Sequence, residues 1–124
     1  MKKAETSFYT AINKMIPVTI HREKMHNIYR GGTPDMWYSG SRSDLWVEYK
    51  HFPVVQEKNY GLSPLQQQWL QGRYKEGRSV AVIVGLGRKH ALILPGLLWS
   101  EPQNVVPLVS RQAVADYIIG VCGV

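Results

Sequence analysis

The hydrophobic pattern changes period several times along the chain, and each change predicts an element or a boundary. Phe8, Ile12 and Met15 or Ile16 recur at helical spacing, which predicts a helix from Lys3 to Met15 that Pro17 ends. Val18-Thr19-Ile20 reads as a short extended piece, and a basic stretch follows it with Arg22, Lys24, His26 and Arg30 set around Met25, Ile28 and Tyr29. Two apolar-rich runs, Met36 to Tyr38 and Leu45 to Tyr49, then flank a Ser-Gly-Ser-Arg-Ser turn. That predicts a hairpin whose loop is longer than two residues. His51 to Gly61 is polar and reads as a loop. Ser63 caps a second helix, with Pro64 in its first turn and Gln66 at the capping-box position. This helix runs to about Glu76 and stops at Gly77, with Leu65, Trp69 and Tyr74 as its expected inner face. Val80 to Val84 is continuously apolar and mostly β-branched, the pattern of a buried central strand. Gly85 to Lys89 predicts a turn, His90 to Leu94 a further strand, and Leu97-Leu98-Trp99 an exposed or partner-covered patch. Val105 to Val109 is short and apolar, and Ser110 caps a last helix from Arg111 to about Val121, with Ala113, Val114, Tyr117 and Ile118 on one stripe.

The resulting order is α-β-β-α-β-β-α, a mixed α/β sheet flanked by helices. The strand–helix–strand passage from Lys50 to Val84 is expected to be a right-handed crossover. Alternation along the second hairpin strand places the chemistry: Leu45, Val47 and Tyr49 point to one face, and Trp46, Glu48 and Lys50 to the other. Asp35 starts the neighbouring strand and is expected to lie across from Glu48. Two carboxylates brought together repel, and burial disfavours their ionised forms. A hard divalent cation, Mg²⁺ or Mn²⁺, relieves both costs, because such ions take oxygen ligands and keep several waters. Lys50 could then position a water, help to deprotonate it, or offset charge building on a phosphate. The chemistry that fits is metal-assisted hydrolysis of a phosphodiester.

Composition narrows the classes. At 124 residues, residues 1–124 are expected to form one domain with a single core. No apolar run is long enough to span a bilayer, and Met1-Lys2-Lys3-Ala4-Glu5 lacks the apolar segment of a signal peptide, so a cytoplasmic location is expected. One cysteine, Cys122, allows no intrachain disulfide, and four scattered histidines argue against a zinc cage. Lysine and arginine number 15 against 9 acidic residues, a formal charge of +6. A basic balance serves solubility in many small proteins, but with the acids gathered at one site it favours a polyanionic partner.

Pro34-Asp35 followed by Glu48-Tyr49-Lys50 resembles the Pro-Asp…(Asp/Glu)-x-Lys signature of the restriction-endonuclease-like superfamily. Leu62-Ser63-Pro64-Leu65-Gln66, with Trp69 after it, is similar to the Leu-Ser-Pro-x-Gln helix start of the virus-type replication-repair nuclease (VRR-NUC) family. Gly31-Gly32-Thr33-Pro34-Asp35 resembles that family's approach to its aspartate. The likeness covers the chain from the N-terminal helix to Gly85; the tail beyond Gly87 carries no recognised motif. It implies a restriction-endonuclease-like fold of the small stand-alone phage type. It also implies an activity on DNA in replication, recombination or repair, with branched DNA such as a four-way (Holliday) junction or a flap as leading substrate.

On that basis Asp35 and Glu48 are the expected metal ligands, with the Tyr49 backbone carbonyl beside them, and Lys50 the group that orients or activates water. The resemblance gives Gln66 a part in holding the attacking water or a phosphate oxygen; capping alone is the other reading. It matches Glu5 by position to a glutamate that completes the metal site; a first-turn glutamate favoured by the helix dipole is the alternative. Arg22, Lys24, Arg30, Arg42 and Lys58 are candidate DNA contacts. His51, which alternation turns away from the motif, reads as structural or as a phosphate contact. One active site per chain makes a homodimer the expected form for cutting two strands, with the apolar tail either the candidate contact or simply the completion of the core. The rival to a nuclease is a non-catalytic nucleic-acid-binding module on the same fold.

Overall fold

A helix, α1 (Lys3–Lys14), leads into three strands, β1 (His21–Lys24), β2 (Met36–Ser39) and β3 (Asp44–Phe52). Helix α2 (Pro64–Lys75) follows, then β4 (Val80–Leu86), β5 (His90–Pro95), the short β6 (Val109–Ser110) and α3 (Arg111–Cys122). The computed structural model describes residues 3–25, 31–53, 59–101 and 106–124. Within them the strands form one six-stranded sheet in sequence order. All neighbours are antiparallel except β3 and β4, which pair in parallel from Trp46↔Val80 to Phe52↔Leu86. A parallel pair needs a crossover, and α2 supplies it.

The alternation read from β3 holds in three dimensions. Leu45, Val47 and Tyr49 face α1 and α3, where they join Phe8, Ile12, Val114 and Ile118 in one core. Val80, Val82 and Val84 face the other way, into a second core with Leu70 of α2 and Trp99. Strand β4 is buried at every residue because both of its faces are covered, and this is why its sequence is continuously apolar. No helix among the described residues is long and apolar enough to cross a membrane.

Four local expectations are corrected. Val18 to Ile20 form a turn, with Val18 94% exposed, and the strand lies just after it, at His21–Lys24. This strand is at the sheet edge with one neighbour, so its sequence carries no apolar alternation to betray it. On α2 the fully buried residue is Leu70, while Leu65 and Tyr74 are exposed. Both rest on glycine backbone instead: a Cβ at Gly31 would stand 2.7 Å from Leu65 Cδ1, and one at Gly96 would stand 2.8 Å from Tyr74 Cε1. Gly85 and Leu86 continue β4 and are not part of the turn. Trp99 sits in a 3₁₀ turn (Leu98–Ser100) and is buried, completing the second core in place of an exposed patch.

Candidate active site

Asp35 sits immediately before β2. Its backbone carbonyl accepts from the Met25 N–H at 2.7 Å, which ties it to the end of β1, and its Oδ2 accepts from the Tyr49 N–H at 3.0 Å. The Met36↔Val47 register therefore brings the Asp35 side chain beside Glu48. Lys50, two residues further along the same face, places its Nζ 3.5 Å from Glu48 Oε2.

Helix α2 closes this cluster through its first turn. Ser63 Oγ accepts from the Gln66 N–H at 3.2 Å, and Gln66 Oε1 accepts from the Ser63 N–H at 2.9 Å, a complete capping box. The same amide reaches the strand. Gln66 Oε1 accepts from Lys50 Nζ at 3.2 Å, and Gln66 Nε2 donates to Glu48 Oε2 at 2.9 Å. Capping and site contact are thus one arrangement rather than alternatives. Gly32 makes room for it: its φ is +98°, and a Cβ there would overlap the Leu65 carbonyl. Gly32 thus lets the α2 backbone approach, while Gly31 faces the Leu65 side chain.

Glu48 is 3% exposed. Its Oε1 is buried and receives no N–H or O–H from the described residues. Burial first, then the charges of Asp35 and Glu5, push its pKa up to about 8, against the pull of Lys50. Burial also raises Asp35, opposed by the Tyr49 N–H, by the charges of Lys24 and Lys50, and by a side-chain hydrogen bond with Glu48. Burial outweighs the pull of the ammonium groups at both carboxyls, Lys24 and Lys50 at Asp35 and Lys50 at Glu48. Glu5, half-buried on α1, is near enough to bear on Glu48. The Tyr49 backbone lies between Glu48 and Lys50, while its ring is in the opposite core with its hydroxyl 2.7 Å from that of Tyr38.

The basic candidates divide. The Lys24 charge acts on Asp35, and its ammonium lies 4.9 Å from the centre of the Tyr9 ring. Arg22 instead donates to the carbonyls of Asn13, Ile16 and Pro17, closing the end of α1. Arg42 donates to the Gly120 carbonyl near the end of α3. Neither guanidinium is brought to the carboxylates. Arg30 and Lys58 lie outside the described residues. His51 donates from Nε2 to the Gly87 carbonyl at 2.7 Å and packs on Phe8, a structural position.

No group of three or more His, Cys, Asp and Glu side chains is arranged to hold a metal among the described residues. The donors still suit a hard cation. Asp35 and Glu48 are adjacent, Glu48 Oε1 receives no donor from the described residues, and Mg²⁺ commonly takes one or two carboxylates and completes its shell with water and phosphate.

Three partly exposed tryptophans, Trp37, Trp46 and Trp69, form a row beside this cluster. Trp46 shares a strand face with Glu48, and Trp69 follows Gln66 by one helical turn. Those spacings are legible in the sequence.

No protein-family model and no curated protein matches this sequence. Among solved structures, the chain is similar to Hjc of Archaeoglobus fulgidus, a Holliday junction resolvase from an archaeal hyperthermophile. The TM-score is 0.59 at 16% identity, covering 88% of this chain and 85% of that one. At that identity the likeness speaks for the fold: a mixed sheet flanked by helices, of the restriction-endonuclease-like kind.

Proposed function

We propose that this protein is a Mg²⁺- or Mn²⁺-dependent endonuclease that hydrolyses phosphodiester bonds in branched DNA, during replication, recombination or repair. The observation that carries the reading is the pair of buried carboxyl groups, Glu48 beside Asp35, with Glu48 tied through Gln66 to Lys50. Two buried carboxyl groups side by side must share a proton or repel, and a divalent cation in place of that proton relieves both costs. Asp35 and Glu48 would hold the metal, with the Tyr49 carbonyl and Glu5 beside them. The ion would supply Lewis-acid activation of a phosphate and a more acidic water. Lys50 positions that water or neutralises charge on the phosphate, and Gln66 fixes the directions of both Lys50 and Glu48. Lys24, at the end of β1, contacts the DNA backbone. The fold likeness to a Holliday junction resolvase and the sequence resemblance to the VRR-NUC family, in its small phage type, both favour a branch point over plain duplex. Paired cuts across a junction call for two sites and hence a homodimer.

The test incubates labelled four-way junction, flap, linear duplex and single-stranded DNA with the protein in Mg²⁺, Mn²⁺ or EDTA, beside Lys50→Ala. Metal-dependent cutting that Lys50→Ala loses while keeping DNA affinity supports the enzyme. Tight binding with no cutting under any condition replaces it with a non-catalytic binding module.

A further inference from the structure

The tryptophans beside the carboxylates take no part in the chemistry above. Trp46 stands on the Glu48 face of β3, two residues away, a step of about 6.5 Å. Trp69 lies one turn beyond Gln66 on α2, on a neighbouring stripe. Their rings meet with centroids 5.3 Å apart, tilted by 58°. Trp37, opposite Trp46 in the β2–β3 register, extends the row with centroids 6.0 Å apart. All three are partly exposed, whereas Trp99 is buried at 3% as a core residue should be. A cleft of about 440 Å³ opens against Trp46 and Trp69, with Asp44, Arg73, Arg78 and Ser79 among its walls.

The cleft wall carries two arginines and one aspartate. Arg73 lies over the Trp69 ring at 5.6 Å while pairing with the exposed Glu76. Arg78 has no ion-pair partner among the described residues. The one acid in the wall, Asp44, keeps its charge and is turned toward β2, where it accepts from Ser39 Oγ at 2.6 Å and from Trp37 Nε1 at 3.1 Å. Trp46 and Trp69 pack against the second core and keep part of their surface open to the cleft, and partly exposed indoles next to a cation can form a stacking platform for bases, each of which has a face to offer. A base inside a duplex is already stacked on both sides; at a flap or branch point it is released at least cost.

We infer that this cleft receives one unstacked base of the strand whose phosphate lies at Asp35 and Glu48. Trp46 and Trp69 form its floor, and Arg78 holds a neighbouring phosphate. The inference rests on the nuclease reading and deepens it: the cleft selects branch points by demanding an unpaired nucleotide next to the cut.

The experiment uses EDTA to prevent cutting. Flap DNAs carry a single abasic position, moved one nucleotide at a time through the branch, and each is compared with the intact flap for affinity and for quenching of tryptophan emission. The wild type is expected to lose roughly 5- to 100-fold in affinity, with loss of quenching, at one or two positions only. Trp69→Ala brings that ratio close to one, and Trp69→Tyr restores most of it. Each ratio is taken within one protein sample, so a smaller folded fraction cancels. Tight wild-type binding with no abasic-sensitive position overturns the base cleft and leaves the nuclease reading standing, as does a Trp69→Ala protein that keeps the full ratio. Failure of the wild type to bind or cut any DNA overturns both.

Discussion

At the residue scale Glu48 decides how the molecule responds to pH. Its folded pKa of about 8 lies above the ordinary glutamate value of about 4.3. Between those values the folded chain binds a proton that the unfolded chain has released. Stability from this group is therefore full at low pH and is lost as pH rises toward 8. In EDTA, chemical denaturation should show the unfolding free energy falling from pH 5 to pH 8, and Glu48→Gln should flatten that slope. A bound cation replaces the proton, so the rise in melting temperature on adding Mg²⁺ should grow with pH and vanish in Glu48→Gln. Gln66 makes a second test. It touches Glu48 and Lys50 but sits outside the proposed coordination, so Gln66→Ala should lower metal-dependent cutting about 10- to 100-fold in single-turnover assays. Glu48 and Lys50 were legible as neighbours because strand alternation is a property of two consecutive residues. That one amide reaches both of them while closing a capping box was not, because it depends on how closely α2 approaches β3.

At the element scale α2 is the part to perturb. Its span follows from local chemistry: Ser63 and Gln66 close the N-terminus reciprocally, and Gly77, at φ +85°, ends the last turn. Ser63→Ala should cost about 0.5–2 kcal/mol in urea denaturation. Gly32→Ala should cost more than about 1 kcal/mol, since the position requires a positive φ and the added methyl meets the Leu65 carbonyl. Because that clash pushes the Gln66 turn away from Glu48, cutting should fall further than the loss of folded protein explains. The orientation of α2 was not legible. Its few apolar residues fit more than one face, and packing chose Leu70 over Leu65 and Tyr74. Strand β1 escaped for the opposite reason, having almost no buried residue to announce it.

At the scale of the whole molecule, the charge of +6 predicts a salt-sensitive affinity. The logarithm of the binding constant should fall linearly with the logarithm of salt concentration, with a slope of about −0.9 per phosphate contacted. The abasic ratio should change little over the same range, since stacking releases no counterions. Local order was set by the sequence alone: helix limits written in caps and prolines, the hairpin written in its turn, and a central strand written in an unbroken apolar run. Each depends on interactions spanning a few residues. What a charged side chain does was decided only by tertiary structure. Arg22 and Arg42 read alike as candidate phosphate contacts, yet each is engaged with helix carbonyls, 9 and 78 residues away respectively for Asn13 and Gly120. The desolvation of Glu48 and the alignment of Trp46 with Trp69 arise in the same way. Burial and convergence depend on which elements meet, and residues distant in sequence meet only when the sheet, and α2 across it, have formed.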